Sequence, residues 1–115
     1  MIDLNDIDKI YLFTGNTDFR LGISGLTKIV LSSFQANQQG NLFVFCSKNK
    51  KAIKILEFDN TGISLYHKKL NIGKYIYPDT GMMGQINKEE LKILLNGLEF
   101  VYRIEGKTKK KIDYF

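Results

Sequence analysis

At 115 residues, 43% of them hydrophobic, the chain is long enough for one domain with its own core and too apolar for an intrinsically disordered one. Its single cysteine, Cys46, excludes an intramolecular disulfide, and with a single histidine, His67, it falls short of the usual zinc ligand set, so no metal or cofactor is expected. A formal net charge of +5 and a pI near 9.3 lean towards an acidic partner, nucleic acid first.

The first eight residues carry Asp3, Asp6 and Asp8 and no cation, with Ile2, Leu4 and Ile7 available to tuck onto a core. A basic n-region followed by an apolar h-region is lacking, so no signal peptide is expected. No apolar run later in the chain approaches the roughly 18 residues that span a bilayer. A lone cysteine suits a reducing cytoplasm. Lys9 to Phe13 (KIYLF) reads as a first strand. Thr14 to Arg20 (TGNTDFR) is a polar connection into a helix. There Ile23, Leu26, Ile29, Val30, Leu31 and Phe34 recur near a 3.6-residue period. Thr17 or Asp18 is the expected N-cap, because either side chain can accept from the free N–H groups of a first turn. Gly22 and Gly25 predict a later helix start or the close approach of another backbone. Asn37 to Asn41 (NQQGN) ends the helix.

Leu42 to Pro78 holds four apolar or alternating runs divided by the breaks SKNKK, DNTG and NIG, which predicts an antiparallel meander. Leu42 to Phe45 is apolar on both faces, as a strand covered on both sides would be. Ala52 to Phe58 and Ile63 to Leu70 follow as strands. Tyr75 to Tyr77 reads as a short last strand closed by Pro78, which cannot donate to a ladder. Asp79 to Gly84 is a loop. Asn87 with Glu90 predicts a capping box opening a second helix, whose inner face is Leu91, Leu94, Leu95 and Leu98 and whose stop is Gly97. Phe100 to Ile104 alternates like a strand. The predicted fold is α+β: one domain over residues 1–106, an antiparallel sheet of about five strands with two helices packed on it, and a basic C-terminal tail over 107–115 ending on Tyr114 and Phe115.

Much of the positive charge lies in the meander. Lys48, Lys50, Lys51, Lys54, Lys68, Lys69 and Lys74 stand against Glu57 and Asp59, a net +5 that equals the charge of the whole chain. Tyr66, Tyr75 and Tyr77 interleave with these lysines, a pattern compatible with base stacking, with a protein interface or with half-buried packing. The cations are nearly all lysine, with Arg20 and Arg103 as exceptions, which suits backbone contact better than bidentate base readout. Catalytic groups do not converge in the sequence. His67 reads as a sheet-surface residue and Cys46 as a small buried hydrophobe. The scattered carboxylates leave open a metal-dependent nuclease using Asp18 or Asp59.

Two stretches carry a resemblance. TGNTDFRLGISGL is similar to a Thr-Asp-x-Arg element leading into a Gly-x-x-Gly-Leu helix. LFVFCSKNKKAIKILEFDNTGISLYHKKLNIGKYIYP is similar to an LFVF strand, a basic turn, an Ile-Lys-x-Leu strand, an Asp-x-x-Gly turn and a closing aromatic-Pro. Together they resemble the accessory proteins, often labelled TnpB, encoded by the second open reading frame of bacterial insertion sequences of the sixty-six family. The matching residues are Thr17, Asp18, Arg20, Gly22, Gly25, Leu26, Lys54, Asp59, Gly62, Lys68, Gly73 and Pro78. Lysines and Cys46 occupy a turn that is arginine-rich in the family, and Tyr77 stands where the family has Trp. The resemblance implies a non-catalytic factor for transposition that works beside a separate transposase. The expected contact residues are Arg20, Lys48, Lys50, Lys51, Lys54, Lys68, Lys69, Lys74, Tyr75 and Tyr77, and the expected partners are DNA and the transposase of the same element. An adaptor that docks on the transposase without touching DNA is the alternative.

Overall fold

Leu42, Phe43, Val44, Phe45 and Cys46 are all buried, and a strand with no exposed residue has to lie inside a sheet covered on both faces. The computed structural model describes residues 3–15, 17–34, 38–97, 102–104 and 107–109. Expectations for Ile2, Asn37, Leu98, Phe100, Tyr114 and Phe115 lie outside the described residues. The elements in chain order are β1 (Ile10–Phe13), α1 (Ile23–Ser33), β2 (Leu42–Cys46), β3 (Ala52–Phe58), β4 (Ile63–Lys69), β5 (Gly84–Ile86), α2 (Lys88–Leu95), β6 (Tyr102–Ile104) and β7 (Lys107–Lys109).

The strands form one sheet in the order β4-β3-β2-β1-β5-β6-β7. The α+β class holds, and β2, β3 and β4 are the expected antiparallel meander, with Val44 opposite Ile55 and Ile55 opposite Tyr66. The sheet is mixed, however. β1 pairs parallel with β2, Ile10 opposite Leu42, because α1 carries the chain back to the end where β1 began. The sheet is also wider than the expected five strands. β5 begins at Gly84, where the segment read as a loop ends, and β7 falls in the segment read as a tail, paired with β6.

The two helices cover opposite faces. On one, Leu26 and Val30 of α1 pack with Phe43 and Phe45 of β2 and Leu56 of β3. On the other, Leu91 and Leu94 of α2 pack with Val44, Ile53 and Ile55. Each such leucine, fully buried, contributes about 1.5–3 kcal/mol. The α1 face is narrower than the periodicity predicts: Ile23 and Leu31 are exposed. The helix also starts later than Thr17 or Asp18. Gly22 is the N-cap, with extended backbone and no side-chain cap. Gly25 lies inside the helix, where a Cβ would come within 2.6 Å of the Leu21 side chain, so the close neighbour is a side chain and not a backbone.

α2 starts as its sequence predicts. The Asn87 side chain accepts from the Glu90 N–H at 2.8 Å and the Glu90 carboxylate accepts from the Asn87 N–H at 2.7 Å. Gly97 follows Asn96 at φ 76 and donates its N–H to the Leu94 carbonyl. Asn87→Ala removes one half of the box and is expected to cost about 1 kcal/mol in urea unfolding, with an unchanged m-value.

Tyr75 to Tyr77 is not a strand. The segment runs extended beneath β2 and β3, tied by one backbone bond from the Tyr75 N–H to the Lys50 carbonyl at 2.7 Å. Tyr75 and Tyr77 are buried with Ile53, Cys46 and Leu94, and Ile76 is half-buried between them. Alternation of aromatics produced a strand-like pattern here because the two rings insert under the sheet instead of pairing beside it.

Candidate nucleic-acid interface

The register sorts the connections to two ends of the sheet. Phe13 ends β1 beside Phe45, Cys46 ends β2 beside Ile53, and Ala52 opens β3 beside Lys69 at the end of β4. Gly84 opens β5 beside Leu12. The connections 14–22, 47–51 and 70–83 therefore all emerge at the same end. They bring Lys48, Lys50, Lys51 and Lys74 to it, joined by Lys68 and Lys69 from β4 and by Arg20. The carboxylates among them are Asp18 and Asp79. Asp6, Asp8 and Asp59 lie towards the opposite end, where the Asp8 N–H donates to the Gly40 carbonyl and the Gly40 N–H to that of Phe58. The molecule is thus polarised along its strands, basic at one end and acidic at the other.

The basic turn is held rigidly. Ser47 Oγ accepts from the N–H groups of Lys51 and Ala52 and donates to Asn49 Oδ1 at 2.8 Å. Lys50 adopts φ 63, a left-handed conformation uncommon for a side-chain-bearing residue. Its ammonium lies 3.9 Å from the Asp79 carboxylate and 5.8 Å from the centre of the Tyr77 ring. Lys48, Lys51, Lys69 and Lys74 are exposed. Lys68 is exposed too and donates to the Leu95 carbonyl at 3.1 Å. Arg20 is held by Asp18 through two parallel bonds, Nε to Oδ1 and a terminal guanidinium nitrogen to Oδ2, each at 3.0 Å. The side-chain bond from Arg20, seconded by its backbone N–H, pulls the Asp18 carboxyl down to about 2.

Three expected contact residues are structural instead. Lys54 is 8% exposed, and its ammonium donates to the Phe19 carbonyl at 2.7 Å and the Leu21 carbonyl at 2.9 Å, 4.7 Å from the centre of the Phe19 ring. It stitches the 14–22 connection to β3. Tyr75 and Tyr77 are 3% and 5% exposed. The Tyr77 hydroxyl donates towards the carbonyls of Phe13 and Val44, at 2.9 and 3.0 Å, and so pins the chain after β4 under the parallel pair. Strand alternation was the available signal for Lys54. It shares parity with Leu56 and so points to the α1 face, beneath the 14–22 connection. Thr14 carries no such signal in the sequence. It is buried, and its hydroxyl donates to the Met82 carbonyl.

His67 is exposed and meets the Phe19 ring edge-on at 5.5 Å. Cys46 is buried, and desolvation pushes its thiol up to about 11 against an ordinary value of 9.0, with Lys50 pulling weakly the other way. Between about pH 9 and 11 the unfolded chain sheds a proton that the native chain keeps, so this group's contribution to stability falls as pH rises through that window. The expected result is a thiol inert to labelling at pH 8 in the native protein and fully reactive in denaturant.

Among the described residues no group of three or more His, Cys, Asp or Glu is placed to hold a metal ion. Asp18 stands at the basic end, whereas Asp59 at the other end accepts from the N–H groups of Thr61 and Gly62. The two carboxylates do not converge. A groove of about 790 Å³ lies between α2 and the β3–β4 pair, lined by Leu4, Ile55, Tyr66, Leu91 and Leu95 among others. Among the described residues, no helix is long and apolar enough to cross a membrane.

Residues 8–103 match the family model described as IS66 Orf2 like protein. The chain is also similar to two proteins of Sinorhizobium fredii (strain NBRC 101917 / NGR234). Uncharacterized protein y4hO is 31% identical over 94 residues, spanning 80% of this chain and 82% of the relative. Uncharacterized protein y4jC is 32% identical over 106 residues, spanning 90% and 89%. No solved structure matches the chain significantly.

Proposed function

Since the chain belongs to the IS66 Orf2-like family, and through it to insertion-sequence transposition, we propose that it is a non-catalytic accessory factor that binds DNA, alone or with the element's transposase, through the basic end of its sheet. The observation that carries this reading is convergence. Two connections separated in sequence, together with the end of β4, bring six lysines to one end of the molecule, where a third connection adds Arg20, and Asp79 is the lysines' acidic neighbour among the described ion pairs. Lysines on short, braced turns offer point charges to phosphates with no fork for reading base edges. The contact is therefore largely independent of sequence, and it takes place in the cytoplasm, where the element's DNA is.

Titrating a labelled DNA duplex with the protein at increasing salt tests this. With about five lysines neutralising phosphates, log K falls with log salt at a slope near −4 to −5. An affinity indifferent to salt would sink the proposal.

One observation favours docking on the transposase as a second reading. Ile72 is 92% exposed and Met82 52%, and both lie in the 70–83 connection at the same end. If the end is a protein interface, changing both to Ser abolishes co-purification with the transposase and leaves any DNA shift intact.

A further inference from the structure

β4 is the last strand on its side of the sheet. Its hydrogen-bonding pattern follows from its two ends. The Leu70 N–H donates to the Lys51 carbonyl at 2.9 Å and the Asp59 N–H to the Gly62 carbonyl at 3.0 Å. In an antiparallel ladder bonded pairs alternate with unbonded ones. With Glu57 opposite Ser64, Ile55 opposite Tyr66 and Ile53 opposite Lys68, the backbone groups of Ser64, Tyr66 and Lys68 face β3. Those of Ile63, Leu65, His67 and Lys69 face outward, and among the described residues they have no partner.

From this edge we infer that two copies of the chain pair through β4, antiparallel about a two-fold axis at Tyr66. Only even-sum registers match outward groups with outward groups. The one centred on Tyr66 uses all four: Ile63 opposite Lys69, Leu65 opposite His67, and the reverse across the axis. It stacks Tyr66 on its own symmetry mate in an unbonded pair, where cross-strand aromatic contact is favourable.

Charge selects the same arrangement. β4 is apolar at its start and carries Lys68 and Lys69 at its end, and its acidic neighbours, Glu57 on β3 and Asp59 in the turn, flank its start. Antiparallel pairing lays the basic end of one copy along the acidic end of the other. Lys68 of one copy falls opposite Ser64 of the second, whose β3 neighbour on the same face is Glu57. Among the described residues that carboxylate accepts from the Tyr66 hydroxyl, at 3.1 Å. No lysine faces a lysine in this register. A two-fold interface of this kind is self-complementary and closes at two copies.

The test uses the full-length protein. Light scattering coupled to gel filtration is expected to give twice the 13.2 kDa chain mass at hundreds of micromolar. His67→Pro removes an outward N–H that the β3–β4 ladder does not use, so it is expected to give a monomer with native circular dichroism. A second readout does not depend on that variant folding. At the axis two Tyr66 Cα atoms lie about 4.5 Å apart, within disulfide reach. Tyr66→Cys therefore cross-links rapidly on mild oxidation, whereas Lys68→Cys, whose mate is Ser64, does not. A mass that stays at one chain throughout, or Lys68→Cys cross-linking as fast as Tyr66→Cys, overturns the inference.

Discussion

Replacing Lys48, Lys51, Lys69 and Lys74 together by Gln is expected to weaken DNA binding by about a thousandfold at 0.1 M salt. Each phosphate contact contributes about 0.9 to the slope of log K against log salt, so losing four removes about 3.6 of it. Over the decade between 1 M, where the electrostatic contribution has faded, and 0.1 M, that slope becomes between three and four orders of magnitude in affinity. All four side chains are exposed, none makes an ion pair among the described residues, and none supports the core, so the melting temperature should not fall. Electrophoretic shift or fluorescence anisotropy on a labelled duplex reads the affinity, and calorimetry reads the stability. A variant that binds as the parent does would remove the basic end from the mechanism and leave the exposed Ile72 and Met82 as the interaction site.

Lys54→Met separates the buried lysine from these four. The substitution keeps the length and apolar stem of the side chain and deletes the ammonium, which leaves the carbonyls of Phe19 and Leu21 without their donor. Hydrogen bonds to a charged group contribute about 1.5–3 kcal/mol each, and the two here share one ammonium. The expected loss is about 2–4 kcal/mol, or about 10 °C in melting temperature for a domain of this size. Protease cleavage in the 14–22 connection should rise, because Lys54 ties that connection to β3. DNA affinity measured well below the melting temperature should change little. A normal melting temperature with lost DNA binding would return Lys54 to the contact surface.

These two results would divide the meander lysines by job. One group is presented by turns and strand ends at the tip of the sheet. Lys54, in the middle of β3, holds the 14–22 connection in place and with it the Asp18–Arg20 pair. The inferred two-fold partner adds a consequence. Antiparallel pairing of β4 sends the two basic ends in opposite directions along the strands, so a pair of copies would offer two separate lysine clusters.

Local rules were enough for much of the fold. The capping box at Asn87 and Glu90, the stop at Gly97, the wholly apolar β2 and the Asp59 to Gly62 turn rest on a few adjacent residues, and each is found as the sequence predicts. Membership of the family was legible as well, since its motifs sit in order along residues 14–78. The sequence likewise determined how many lysines there would be and that they would fall in a meander. Where they would gather was a tertiary matter. Strand alternation separates Lys68 from Lys69 and turns Lys54 inward, while the parallel β1–β2 pair, invisible without the register, brings the 14–22 connection beside the 47–51 turn. Tyr75 and Tyr77 likewise look the same in sequence whether they line a surface or lie beneath a sheet. Packing beneath the sheet against Ile53, Cys46 and Leu94 puts both inside, and only the Tyr77 hydroxyl gains acceptors there, the carbonyls of Phe13 and Val44, because which backbone groups come within reach of a buried ring is decided by the packing and not by the chain order.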